Sequence, residues 1–211
     1  TTASSLYAVP LMLAKEGLDR VVCRKLGLET KEPELDEWRA MVERAQNAHT
    51  PVKIALVGKY VQLHDAYLSV VEALSHAGTE NDSVVTIKWI DSEQITDANA
   101  AENLSDCDGI LVPGGFGDRG IEGMISAVKY ARENRIPYFG ICLGMQMAVI
   151  EYARHVAGLT SAHSTEFVYN CSEPVIDIMP DQIGVTAKGG TMRLGAYPCA
   201  IRPGTLMERV Y

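Results

Sequence analysis

From Val52 onward the apolar pattern of this chain switches repeatedly between a strand period and a helix period, which restricts it to an α/β architecture. Val52-Lys53-Ile54-Ala55-Leu56-Val57-Gly58 is a β-branched run ending in glycine, Asp65 to His76 reads as an amphipathic helix closed by Gly78, and Val84 to Trp89 reads as a second strand. Ile110 to Pro113 is a third strand. It is followed by a helix over Ile121 to Asn134, a short buried strand over Tyr138 to Ile141 and an apolar helix over Leu143 to Ala157. Strand, helix and strand in this order predict an open, mostly parallel sheet with helices on both faces. After Gly158 the rhythm weakens. Val175 to Met179 and Thr191 to Arg202 read as irregular strands around a turn at Gly189-Gly190.

Ahead of this region, Leu6 to Leu28 is a small apolar, helix-like unit broken at Gly17. Glu29 to Asp36 is acidic and interrupted by Pro33, so it reads as a linker into an amphipathic helix through Trp38, Met41 and Val42. The expected organisation is a first unit over 1–28, a linker and helix over 29–50, and a main domain over 51–211. The opening Thr1-Thr2-Ala3-Ser4-Ser5 has neither an initiator Met nor a charged n-region, so the chain is expected to be a piece of a longer protein.

Charge and cysteine usage narrow the function classes. Nineteen Lys and Arg against 27 Asp and Glu leave a net charge of −8, with no basic run to neutralise a row of phosphates, so nucleic acid is excluded as a partner. No apolar run approaches the ~20 residues that span a bilayer, which argues against a membrane role. The five cysteines, Cys23, Cys107, Cys142, Cys171 and Cys199, form no CxxC pair. No metal site is expected, and the compartment is expected to be the reducing cytoplasm.

Two glycine-rich turns carry the chemistry. Gly140-Ile141-Cys142-Leu143-Gly144 falls where a strand hands over to a helix, and it matches the G-x-S-x-G nucleophile elbow with cysteine in place of serine. An isolated cysteine usually packs as a small hydrophobe. Here the flanking glycines and the strand-to-helix junction favour a nucleophile, with helix amides facing the sulfur to promote the thiolate and hold an oxyanion. The other cysteines lack this setting, although Cys107, next to Asp108, is expected to be partly exposed. The second turn, Gly114-Gly115-Phe116-Gly117-Asp118-Arg119-Gly120, satisfies G-x-G-x-x-G when read from Gly115. It follows a third strand ending in proline rather than the first strand, so a loop of backbone oxyanion donors opposite Cys142 is the better reading. On this reading, a Cβ at position 115 is expected to hinder the amide. The chain has no G-x-x-x-x-G-K-[ST] loop and therefore no ATP chemistry of that kind.

A thiol nucleophile needs a base. Of His49, His64, His76, His155 and His163, the first lies in the linker, His64 reads as a helix cap, and His76 and His155 read as surface or packing residues. His163 follows the elbow helix but has no carboxylate at a fixed spacing. The base is expected to lie outside this chain.

Pro113-Gly114-Gly115-Phe116-Gly117 paired with Gly140-Ile141-Cys142-Leu143-Gly144-Met145-Gln146 resembles the signature of the class I, triad-type glutamine amidotransferases. Gly114 to Gly123, Ser164-Thr165-Glu166-Phe167, Gly189 to Gly195 and Val52 to Tyr60 resemble the branch of that family that makes CTP. Leu6 to Leu11 resembles the end of that branch's synthetase domain. The resemblance implies hydrolysis of L-glutamine, with the ammonia passed to a synthetase domain that aminates UTP at the expense of ATP. ATP and Mg2+ would belong to that domain, with no cofactor in this chain.

Cys142 matches the nucleophile, Gly115 and Leu143 the oxyanion donors, and Gly115, Leu143, Gly144, Met145, Gln146 and Glu166 the positions that hold glutamine. Phe116, Arg119 and Arg193 fall in segments associated with loops that respond to allosteric GTP. The resemblance places the base and its acid in a His-Pro-Glu-like motif beyond Tyr211, and it implies a homotetramer. Two other readings remain open at this point: a silent amidotransferase-fold scaffold, motivated by the missing histidine, and a nucleotide-binding module on Gly115 to Gly120.

Overall fold

The computed structural model describes residues 3, 5–179, 182–184, 196 and 198–210. Four strands form one parallel sheet: β1 (Thr50–Gly58), β2 (Ser83–Asp91), β3 (Gly109–Val112) and β4 (Tyr138–Gly140), in the spatial order β2-β1-β3-β4. Leu56 stands opposite Leu111, and Leu111 opposite Phe139, so the three strands end almost level at their carboxyl edge. The chain first moves outward from β1 to β2 and then returns past β1 to β3. The strand order therefore reverses between β1 and β3, and a crevice at that point is where open α/β sheets bind ligands.

Successive side chains on a strand point to opposite faces, and the two faces bury different sets. Ala55, Val57, Ile110 and Val112 pack beneath α5 (Ala100–Leu104), α6 (Ile121–Asn134) and α7 (Leu143–His155), against Leu104, Met124, Ile125, Met147 and Ile150. Leu56 and Leu111 face the other way, with Ile54, Ile87, Trp89 and Tyr67, and are covered by Val70 and Leu74 of α4 (Leu68–Glu80). The expected open parallel sheet with helices on both faces is what the chain forms. The helix expected over Asp65 to His76 starts later than its pattern suggests: His64 to Tyr67 is a 3-10 turn, because Tyr67 turns inward, buried, to accept hydrogen bonds from the Lys59 and Tyr60 amides. His64 caps nothing and instead stacks on Trp89 with the rings 4.0 Å apart.

Ahead of β1 the described residues form α1 (Val9–Lys15), α2 (Leu18–Leu26) and α3 (Asp36–Asn47), with Gly17 in the left-handed region at the break between the first two. Within this unit the Trp38 indole donates to the Tyr7 carbonyl at 2.8 Å; the unit is tied to α4 by the Tyr7 hydroxyl, which meets Glu72 and His76, and by Arg44, which pairs with Glu80 at 2.7 Å. Beyond α7, β5 (Ala162–Ser164) and β6 (Glu173–Ile176) form a separate parallel pair, and α8 (Leu206–Val210) follows. The strand expected over Val175 to Met179 ends at Ile176, because the Asp177 carboxylate caps the Ile178 amide and the Thr165 hydroxyl. Half of Thr191 to Arg202, with the Gly189-Gly190 turn and Arg193, lies outside the described residues; residues 198–202 form no strand. Among the described residues no helix is long and apolar enough to cross a membrane.

Candidate active site

Cys142 is the second of the two residues between β4 and α7 and is held at φ 53°, ψ −105°, a conformation that residues with side chains rarely adopt. Such a residue carries on the order of 1–3 kcal/mol of backbone strain, which the surrounding packing must hold in place. The packing that does so is main chain on main chain. A Cβ on Gly140 would lie 2.5 Å from the Gly144 carbonyl carbon, and a Cβ on Gly144 would lie 2.0 Å from the Val112 carbonyl oxygen. Glycine at both flanks of the cysteine therefore lets α7 start directly against β3 and β4. The Tyr138 hydroxyl donates to the Gly144 carbonyl at 2.7 Å and braces the first turn, while burial pushes its own pKa up. The sulfur side of Cys142 is exposed at the positive end of α7. Of the first amides of α7, those of Gly144 and Gln146 are occupied by the Ile141 and Cys142 carbonyls. Leu143, first in the helix, has a buried side chain.

The second turn arrives at the same edge from β3. Gly114 lies beside the cysteine: a Cβ there would sit 3.4 Å from Cys142 Cβ and 4.0 Å from its sulfur. A Cβ on Gly115 would make ordinary contacts, 3.5 Å to Leu143 and 3.6 Å to the Lys59 methylenes. The added carbon would point at Leu143 and Lys59 without a close contact, so steric fit to the protein does not by itself require glycine at this position. Gly120, at φ 69°, and Gly123 are different, because a Cβ would fall 2.2 Å from the Ser92 hydroxyl and 1.7 Å from the Ser92 carbonyl oxygen respectively.

Between these glycines the loop is held by Arg119 and by Lys59, a residue that the sequence patterns did not single out. Lys59, the residue after β1 and only 3% exposed, donates from Nζ to the Phe116 carbonyl at 3.1 Å and to the Gly117 carbonyl. Burial lowers the Lys59 pKa, and the Arg119 charge lowers it further. Arg119 in turn donates to the Lys59 carbonyl at 2.8 Å, pairs with Glu93 and lies over the Tyr60 ring at 5.7 Å. A strand-end lysine in a sequence gives no sign of being buried; only its place at the reversal of strand order does.

A cavity of about 350 Å³ opens over Cys142, within the range of small-molecule sites. Of the sequence-predicted residues, the structure brings Cys142, Gly115, Phe116, Gln146 and Glu166 to its wall, together with Ser164 and Asp177. Leu143, Gly144, Met145 and Arg119 contribute nothing to that lining. Met145 is half exposed on α7, and Arg193 falls outside the described residues. The Ser164 hydroxyl accepts from the Glu166 amide at 3.2 Å and so fixes the turn that presents Glu166.

No histidine is among the described residues lining the cavity. His163 is one residue from Ser164 on β5, so its side chain takes the opposite face, where it lies 3.7 Å from Glu122. That carboxylate, from a distant part of the chain, was not visible as a sequence spacing. Cys107, expected to be partly exposed, is buried, and its thiol is pushed up to about 11 by burial and by Asp106. Among the described residues no group of three or more His, Cys, Asp or Glu is placed to hold a metal ion.

The family model for glutamine amidotransferase class-I matches residues 62–209. The chain belongs to the class-I glutamine amidotransferases. Among curated relatives this amidotransferase chain is 60% identical, over 209 residues, to CTP synthase of Ruminiclostridium cellulolyticum, and 56% identical to that of Geobacillus kaustophilus. In both cases the match covers 99% of this chain but 39% of the relative, so the chain spans about two fifths of the length of the proteins it resembles. A solved structure described as the Trypanosoma brucei CTPS glutaminase domain with bound acivicin superposes with a TM-score of 0.58 at 44% identity, covering 62% of this chain and 51% of that one.

Proposed function

We propose that this amidotransferase unit hydrolyses L-glutamine through Cys142. The observation that carries this reading is the strained thiol at φ 53° facing the cavity that it shares with Gly115, Gln146 and Glu166. The sulfur attacks the side-chain amide carbon, and the carbonyl oxygen becomes an oxyanion that the Gly115 and Leu143 amides stabilise. Collapse of that intermediate expels ammonia and leaves a glutamyl thioester, which water then hydrolyses to glutamate. Gln146 and Glu166 hold the amino-acid portion of glutamine, and Gly144 and Met145 supply the backbone that carries Gln146 to the cavity wall. The base is a histidine oriented by a carboxylate, supplied from outside these residues. The orientation of His163 away from the cavity supports that assignment.

The identity to CTP synthases supports a second step in the longer protein, where the ammonia aminates UTP to CTP. ATP and Mg2+ would act in a synthetase domain, and GTP would act allosterically near Phe116, Arg119 and Arg193. On this reading residues 1–28 end the synthetase domain, 29–50 connect, 51–211 form the amidotransferase unit, and the protein is a cytoplasmic homotetramer. The test uses the full-length protein with Cys142→Ala. Glutamine-dependent product formation should fall by about a thousandfold or more, while formation from free ammonia persists. A glutamine-like electrophile should label Cys142 alone, and equal labelling of Cys107 or Cys171 would overturn the assignment. A silent scaffold is favoured by one observation, the absence of histidine among the described residues that line the cavity; glutamine turnover by the full-length wild type would exclude it.

A further inference from the structure

We propose that Lys59 is a positioning residue that holds the Gly114–Gly117 loop at the height its oxyanion-donating amide requires. This rests on the glutaminase reading and deepens it. Three of the four residues of that loop are glycines with no steric obstruction at the Cβ position closer than 3.4 Å, so packing alone does not define the loop's shape. What does define it is polar. Two consecutive carbonyls, those of Phe116 and Gly117, converge on one buried ammonium, which fixes the Phe116–Gly117 and Gly117–Asp118 peptide planes, the second and third beyond Gly115. Bonds to a charged donor are shorter and stronger than neutral ones.

The lysine is itself fixed at both ends of its backbone. Its amide donates to the Tyr67 hydroxyl at 3.2 Å, and its carbonyl accepts from Arg119 at 2.8 Å. Its methylenes run alongside Gly115. The side chain is thus a strut from the end of β1 to the glycine loop, across the point where strand order reverses. Among the described residues its ammonium makes no ion pair within 4.0 Å, so its hydrogen-bonding capacity is directed at the loop.

The experiment compares Lys59→Met, which keeps the length and removes the donors, with wild type in the full-length protein. Displacing a catalytic group by about 1 Å can cost 10²-fold in rate. The expected result is a glutamine-dependent kcat lowered roughly 10- to 100-fold, with KM changed less than about threefold. Cys142 alkylation by iodoacetamide and the ammonia-dependent rate should remain at wild-type values. A glutamine-dependent kcat within twofold of wild type overturns the proposal. So does a parallel loss of the ammonia-dependent rate with a lower Tm, which would make Lys59 a residue of the fold rather than of the loop's position. Cys142→Ala assayed alongside separates the two levels of inference. If that variant still turns over glutamine, the glutaminase reading itself fails, whatever Lys59→Met does.

Discussion

The two glycine-rich turns at the carboxyl edge of the sheet have similar compositions and opposite mechanics. At Gly140–Gly144 each flanking glycine lies where a single added carbon would overlap backbone, at 2.0 to 2.5 Å. At Gly114–Gly117 the added carbon meets nothing closer than 3.4 Å, and hydrogen bonds from Lys59 give the loop its shape. The nucleophile is therefore set by hard contact and the facing loop by a polar clasp. A rigid element next to an adjustable one suits a site in which the oxyanion donors must fit a charge that forms only during reaction.

The contrast can be broken first at the elbow. Gly144→Ala should cost about 3 kcal/mol or more, because neither the Val112 carbonyl nor the helix start can yield without moving the other. Differential scanning calorimetry should show a Tm lower by roughly 6–12 °C. An unchanged Tm would mean that the helix seat is softer than the contact distances require.

The second test concerns the joint between the helices that follow the two turns. Glu151 of α7, 1% exposed, receives both Nε and Nη2 of Arg132 on α6, with His155 Nδ1 3.1 Å away. Glu151→Ala should destabilise the fold by on the order of 3 kcal/mol by removing one partner of a buried pair. Glutamine turnover per folded molecule should stay within about threefold, since each turn has its own local restraint. A turnover loss much greater than the loss of folded protein would show that the helices transmit strain to the site.

The smallest effect is expected at Gly115. Its backbone does not need positive φ, and the Cβ site is open, so Gly115→Ala should change stability by no more than about 1 kcal/mol and is expected to raise it. Glutamine-dependent kcat should remain within about threefold. A steep fall would show that the methyl group reaches the oxyanion after all and would move this loop into the same class as the elbow.

What the sequence conveyed followed the range of each interaction. The parallel sheet was legible because Ile54 to Gly58 and Ile110 to Val112 are apolar on both faces, as a doubly covered strand must be. The elbow was legible because its glycines, cysteine and helix start are contiguous. Lys59 was not, because its burial depends on a loop 57 residues away. The His163–Glu122 approach was equally hidden, joining β5 to α6. The late start of α4 was missed because the Asp65-to-His76 periodicity gives no sign that Tyr67 bonds back to Lys59 and Tyr60.

The seating of α7 on bare backbone also bears on how such a site can change over generations. A distance set by main-chain atoms is the same whichever residues surround it, so Ile150, Met147 and Val112 can drift in size and alter stability without shifting the sulfur. The same arrangement leaves no gradual route by which substitutions could slide the nucleophile along the sheet edge. Variation in what the site accepts must then come from its softer side, through Lys59, Arg119 and the residues that meet them.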